Sequence, residues 1–397
     1  MNITYSQLLD QVKDYNPTKY ATTRNYTNGA VTSWSPYISR GFLSPVTVME
    51  QIQARYPKHV WMGFMQQMAW REYFQRVWQN KGQDIFLDLK SAQQNCMLQE
   101  VPKPIVHANT GIKAIDIAVQ QLYDHGYIHN HLRMYLSMLH SNIFKAAWLP
   151  GAKWMYAHLL DHDPAANFLS WQWVAGTFSS KQYVANQENI NKFTNTHQVG
   201  TFLDTAYENL NTAIFDYDGV VQKKYQDKWP NLIDGTYHVD IASFLNQLKN
   251  ELVGTQFECK DLDATLPYCI YNSFNLDPLW HKEEQVNRIL LLEPRHYSEL
   301  PIAKNVLQFM VDLAKLNLPN LKIFIGNFED LNSAIQNNAL KAGALENSKP
   351  ILYFKEHPTT THYQGVQEQR DWLFPQITGY FPSFFGFWKK CEYLLKK

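Results

Sequence analysis

Leu159–Thr177 reads LLDHDPAANFLSWQWVAGT, and the reading of this stretch decides the fold. It packs two carboxylates (Asp161, Asp163), one amide (Asn167) and two indoles (Trp171, Trp173) into thirteen residues. Two acids two apart, with an Asn four residues on, make a poor plain helix surface. The mixture suits a bound heteroaromatic ligand, with acids and amide for its polar edge and indoles for its face. The same residues also suit a buried, hydrogen-bonded loop between two core helices. Their surroundings shift the balance.

Upstream, the chain reads as a series of helices from 30 to 177, with no alternating strand pattern. Val60–Asn80 is a strong helix carrying Phe64, Met68, Arg71 and Trp78, and it is expected to be buried on more than one face. Arg71, between Trp70 and Glu72, is a charge inside that aromatic helix. It serves either an ion pair with Glu72 or another acid, or an anion such as pyrophosphate. Thr110-Gly111 opens the next helix and Gly126 closes it. His129, Asn130, His131 and Arg133 then begin a helix that becomes apolar, so Arg133 needs a carboxylate, and Asp161 is the obvious partner. Histidines two apart on a helix point away from each other, and no third ligand is near, so no metal site is expected. Nearer the start, Thr32, Ser33 and Ser35 crowd just before a helix, and Ser44-Pro45 reads as N-cap and first helical residue. Such hydroxyl clusters bind phosphate or act as caps.

Lys+Arg and Asp+Glu both number 36, so any basic surface for nucleic acid must be local. The four cysteines (Cys96, Cys259, Cys269, Cys391) are scattered without a metal-ligand spacing, which fits a reduced, cytoplasmic chain. MNITYSQLLDQVKDYN has neither the basic nor the apolar region of a signal peptide, and no apolar run approaches the ~20 residues that span a bilayer.

Downstream, residues 178–284 are harder to read, with a helix expected at Asp240–Leu252. From about 286 the texture changes. RILLLEP is a buried strand, KNVLQFMVDLAKLNL an amphipathic helix and LKIFIG a second strand. A helix near Leu331–Leu340 and a third strand in PILYFKEHP follow, which argues a small parallel α/β unit. It has no GxGxxG dinucleotide fingerprint. The aromatic tail Phe381–Leu395 is expected to cap it.

Taken together, the segments TSWSPYISRGFLSP, AWREYF, TGIKAIDIAVQQL, HNHLRM, LLDHDPAAN and WQWVAG stand in the order and near the spacings of one family. Residues 30 to about 195 resemble the helical FAD-binding domain of the photolyase/cryptochrome family. The implied architecture is mostly α. A helical FAD-binding domain spans 1–200, a connecting region 201–284, and a smaller C-terminal α/β (Rossmann-like) domain 285–397.

The resemblance implies a U-folded FAD. Thr32, Ser33 and Ser35, with Trp34 among them, match the hydroxyl loop that holds the FAD phosphates, and Tyr20 matches an upstream tyrosine doing the same. Phe64 and Arg71 match residues of the long helix that meets the cofactor. Arg133 and Asp161 match the ion pair beside the isoalloxazine, Asp163 the acid near its N3 edge and Asn167 the residue facing N5. A neutral amide at N5 neither repels the charge of a reduced flavin nor donates a full proton, and an arginine beside the ring disperses that charge.

Asn130 and Met134 match the residues that photolyases for cyclobutane pyrimidine dimers place over the cavity, where (6-4) photolyases have His at both places. Trp70 and Trp173 match the indoles that sandwich a flipped-out dimer. Gln67 stands where dimer photolyases carry a Glu that bonds the damaged bases, so weakened repair or another substrate is expected. Trp171 and Trp148 match the first two members of the family's tryptophan triad. The outer one should fall in 81–109, which has no Trp. Family members begin with an α/β domain that can carry an antenna chromophore. Here the FAD domain begins almost at residue 1, so the resemblance gives little support to an antenna.

The resemblance therefore implies a deoxyribodipyrimidine photo-lyase-like enzyme, driven by blue light and acting on damaged DNA, single- or double-stranded. Neutral charge, Gln67 and the missing outer Trp keep two other readings open: a cryptochrome-like sensor, and a flavin-dependent redox enzyme with a non-DNA substrate.

Overall fold

Start and stop signals written in the sequence set the helix ends. A computed structural model describes residues 3–215, 221–229, 262–343 and 349–396. The main helices, in chain order, are α1 (Tyr5–Asp14), α2 (Pro45–Gln53), α3 (Lys58–Lys81), α4 (Lys113–His125), α5 (Asn130–Met138), α6 (Trp148–His158), α7 (Pro164–Ala175) and α8 (Gln187–Thr194). They continue with α9 (Lys304–Asn317), α10 (Phe328–Lys341) and α11 (Phe384–Leu394). Thr4 caps α1 in a reciprocal pair with Gln7, Ser44 accepts from Val46 N to cap α2, and Asp163 accepts from Ala166 N to cap α7. Gly126 (φ 63°) and Gly176 (φ 83°) take left-handed backbone to end α4 and α7. The expected helix at Asp240–Leu252 lies outside the described residues.

The described residues form two compact units that interleave along the chain, where the sequence reading set them end to end. One unit holds Met1–Tyr15, Ser33–Pro57 and Val239–Thr378. The other holds Asn16–Thr32, Lys58–His238 and Gly379–Lys397. The first is α/β. Its parallel sheet has the order β3-β2-β1-β4-β5, with β1 Tyr268–Tyr271, β2 Asn287–Leu292, β3 Lys322–Ile325, β4 Leu352–Lys355 and β5 Val366–Glu368. Tyr268 pairs with Asn287 and Leu352, and Ile289 with Lys322. All six residues of β2 are buried, as expected for a strand covered on both faces. On one face Ile289 and Leu291 pack with Phe328, Leu331 and Ile335 of α10. β2, β3 and β4 fall on the runs read as strands. β1 and β5 went unread, because four and three residues carry little periodicity.

The second unit is helical. α3, α6 and α7 pack together, with α5 against α7. α3 is buried at Phe64, Met65, Met68, Ala69, Tyr73 and Phe74, on more than one side. The aromatic tail does not cap the sheet, which corrects the sequence reading. Residues 379–397 belong to the helical unit, and α11 packs on α3. The reason is aromatic. Phe384 stacks flat on Trp70, with ring centroids 3.6 Å apart at 10°, and Arg76 lies 5.7 Å from the centre of the Phe387 ring.

Candidate functional site

The turn between α6 and α7 presents Asp161 and Asp163 from irregular backbone, and Pro164 then starts α7. Both acids are buried, at 6% and 4% exposure, so each needs a partner. Arg133 Nη1 lies 2.7 Å from Asp161 Oδ2. Arg133 is further fixed by an Nε bond to Ile128 O (3.1 Å) and stands 5.8 Å from the Tyr127 ring centre. Arg71 Nη2 lies 3.3 Å from Asp163 Oδ2. The other Asp163 oxygen accepts from Gln75 Nε2 at 2.7 Å and from Ala166 N at 3.0 Å. Arg71 therefore takes "another acid", because Glu72 is engaged one turn on by Arg76, 2.8 Å away. Two arginine–carboxylate pairs thus stand at the start of α7. A buried pair with one partner deleted leaves an uncompensated charge.

Asn167, one turn into α7, is buried and donates from Nδ2 to Ala152 O at 2.8 Å. That bond fixes the flip of the amide and leaves Oδ1 as the atom it can offer. On the first turn of α5, Asn130 Nδ2 lies 3.8 Å from Met134 Sδ. Tyr20 packs edge-on against Phe64, centroids 4.9 Å apart, and burial pushes its hydroxyl up to about 12. Thr32 closes one segment of the helical unit, whereas Ser33, Trp34 and Ser35 belong to the α/β unit. There Trp34 is buried with its edge on Tyr15 (5.1 Å), and Ser35 begins a single helical turn.

Trp171 and Trp148 are both buried, on α7 and at the start of α6. Gly151, three residues after Trp148, lets the Trp171 ring approach: a Cβ there would meet it at 2.6 Å. The same Cβ would meet His140 Nε2 at 2.7 Å. His140 sits in a π-helical turn, Leu139–Ile143, with its ring edge-on to Trp171 at 5.2 Å. Burial pushes His140 down to about 3, so the imidazole is neutral at ordinary pH. Trp148 Nε1 donates to Asp88 Oδ1 at 2.6 Å. The 81–109 segment holds no Trp, but besides Trp148 two more tryptophans among the described residues reach it, one of them through Tyr123. Trp154 Nε1 donates to Tyr123 OH (3.0 Å), which donates to Val106 O (2.8 Å), and Trp229 Nε1 donates to Asn109 O (3.0 Å).

Trp173 is 37% exposed and tilted against Tyr183, 5.9 Å away. Gln67 is half-buried. Trp70 is half-buried, with one face taken by Phe384. The sequence reading missed Gln75, Asp88, His140, Gly151 and Phe384. Gln75 had a legible signal, four residues after Arg71 on the same helix face. Phe384, more than 300 residues from Trp70 in the chain, had none. Among the described residues, no three His, Cys, Asp or Glu side chains gather to hold a metal ion, and no helix is long and apolar enough to cross a membrane.

The donor set fits a flavin: two paired arginines and aspartates at the start of α7, and one oriented neutral amide and one buried indole further along the same helix. Comparison with known proteins agrees. Residues 64–230 match the FAD binding domain of DNA photolyase. A deoxyribodipyrimidine photo-lyase of Agrobacterium fabrum is 29% identical over 154 residues, covering 36% of this chain and 31% of that protein. A chloroplastic/mitochondrial cryptochrome DASH of Solanum lycopersicum is 30% identical over 200 residues, covering 43% and 32%. The solved cryptochrome of Synechocystis sp. PCC6803 overlays 57% of this chain and 50% of its own at 20% identity, with a TM-score of 0.44. The chain spans about a third of the length of the curated relatives it matches. The match lies within the helical unit, and the relatives that share it carry the names photolyase and cryptochrome DASH.

Proposed function

We propose that this chain binds FAD in its helical unit and uses light to repair cyclobutane pyrimidine dimers in DNA. The reading is supported by the match to a photolyase FAD domain and, above all, by Asn167. Its Nδ2 is tied to Ala152 O, so it offers a neutral acceptor one turn into the helix whose start carries the Arg71–Asp163 and Arg133–Asp161 pairs. When bound, reduced FAD excited by light supplies one electron to the dimer and recovers it after the ring bonds break, with no net redox change. The protein's part is to hold and tune. Tyr20, Thr32 and Phe64 line the cofactor in this reading, with Asp163 taking the ring's N3 proton donor. Arg133, held by Asp161, keeps a positive charge where negative charge develops. Trp171 and Trp148 relay electrons that reduce the flavin, and Asp88 can take the Nε1 proton of Trp148. Asn130, Met134, Gln67, Trp70 and Trp173 shape the cavity for the flipped base.

The free thiols of Cys96, Cys269 and Cys391 support a reducing, cytoplasmic setting. The test is a thymine-dimer oligonucleotide under blue light with reductant. Loss of dimer that needs both light and flavin is the expected result. Neither repair nor binding of the lesion would end the DNA-repair reading.

One observation favours a second reading, a light sensor. The C-terminal helix lies directly on Trp70 through Phe384, so a change in the cavity could be passed to it. That reading expects light-dependent proteolysis of residues 379–397 without dimer loss.

A further inference from the structure

The C-terminal helix α11 has two contrasting faces. Phe384, Phe387, Trp388 and Cys391 are buried against the helical unit. The outward face carries Phe385, 71% exposed, and Tyr393, 61% exposed, with Lys389 and Lys390 exposed between them. Residues 385, 389 and 393 are four apart, so aromatic, amine and aromatic follow one another along a single stripe. Residues 379–397 hold Lys389, Lys390, Lys396 and Lys397 against the single acid Glu392, in a chain whose net charge is zero. Lys81 Nζ, 5.0 Å over the Tyr380 ring, adds another amine–aromatic pair from α3.

An exposed ring beside an exposed amine matches one kind of partner well. Bases of an unpaired strand stack on aromatic rings, and the phosphates that join them attract lysines. A duplex hides its base faces and would gain from the lysines alone. A lipid surface would need the apolar face of α11, which is already buried in the core. The face is also close to the site, because Phe384, next in the chain to Phe385, stacks on Trp70.

We propose that the outward face of α11 is a docking surface for single-stranded nucleic acid. Phe385 and Tyr393 stack bases, Lys389 and Lys390 meet phosphates, and the strand is delivered to the cavity beside Trp70. This rests on the reading of DNA as substrate. It adds a binding element on the tail that neither the cavity nor the flavin requires.

The test compares the full chain with Lys389→Glu/Lys390→Glu and with Phe385→Ala. Fluorescence anisotropy measures affinity for a dimer-containing single-stranded oligonucleotide across a salt series. The charge reversal should weaken binding more than tenfold and lower the slope of log affinity against log salt by about 0.7 for each lysine. Phe385→Ala should weaken binding by about tenfold with the slope unchanged. FAD content and melting should match the parent, since these side chains face solvent. If the parent binds the strand and both variants bind equally well, the docking surface is overturned and the DNA reading stands. If the parent binds no strand, both fall. If intact duplex binds as tightly as the single strand, the assignment to unpaired bases is overturned.

Discussion

Asn167 shows how one side chain carries the proposed chemistry. Its Nδ2 bond to Ala152 O decides which atom the amide presents. Asn167→Asp would place a carboxylate against that carbonyl, two acceptors with no proton between them. It should destabilise the helical unit by about 1–3 kcal/mol, read as a lower urea midpoint, and reduce the yield of photoreduced flavin. A midpoint equal to the parent's would contradict the bond's role. Arg133 gives the charge counterpart. Arg133→Ala leaves Asp161 buried and unpaired, and the unit should lose about 3–5 kcal/mol, whereas Arg133→Lys should restore part of it. At this scale one pair was readable. Arg133 and Asp161 were legible because a buried charge demands a partner, and the geometry pairs them. The hydroxyls were not resolved in the same way. Caps and phosphate ligands use the same residue types, and Ser33–Ser35 belong to the other unit.

Elements explain what residues alone do not. α6 and α7 approach closely because Gly151 has no Cβ, which brings Trp171 onto α6 within a turn of Trp148. Gly151→Ala would put a methyl group 2.6 Å from the Trp171 ring and 2.7 Å from His140. With Trp171 and His140 both buried and boxed in, the change should cost about 1–3 kcal/mol and slow flavin photoreduction. Unchanged photoreduction kinetics would remove the close approach of Trp171 to Gly151 from the relay. α11 is the element the sequence misassigned. Its apolar spacing announces a buried face but not the surface that buries it, and a stacking partner such as Trp70 is set only by tertiary structure. Phe384→Ala should lower the stability of the helical unit by about 3 kcal/mol. With Trp70→Ala, the double-mutant cycle should return a coupling of about 1 kcal/mol. Strict additivity would mean the rings touch without stabilising each other.

On the scale of the whole molecule, the helical unit holds histidines that burial keeps neutral at ordinary pH. Burial, the main cause, holds His131 and His158 down to about 4 and His140 to about 3, with His129 adding to the effect on His131. The unfolded chain protonates these side chains near pH ~6.5. The unfolded state therefore binds more protons between the two values. Stability is full above pH ~6.5 and falls as the pH drops toward 4, by up to about 1.4 kcal/mol per pH unit for each histidine. Urea midpoints of the helical unit should decrease from pH 7 to pH 5, and His140→Leu should flatten that decline. A midpoint that does not change with pH would contradict it. The helical and α/β textures were both visible in the chain, one as long apolar helices and the other as short buried strands. Their interleaving was not, because local periodicity says nothing of which distant segment completes a core.

The central claim is that the helical unit holds FAD through the carboxylate–arginine pairs at the start of α7, and flavin content tests it most directly. FAD released on denaturing the purified, gel-filtered chain should be equimolar with protein. It should fall sharply in both Asp163→Ala and Arg133→Ala preparations that still show the parent's helix content by circular dichroism. A folded parent chain that carries no FAD after incubation with excess cofactor, or variants that retain it in full, would contradict the account.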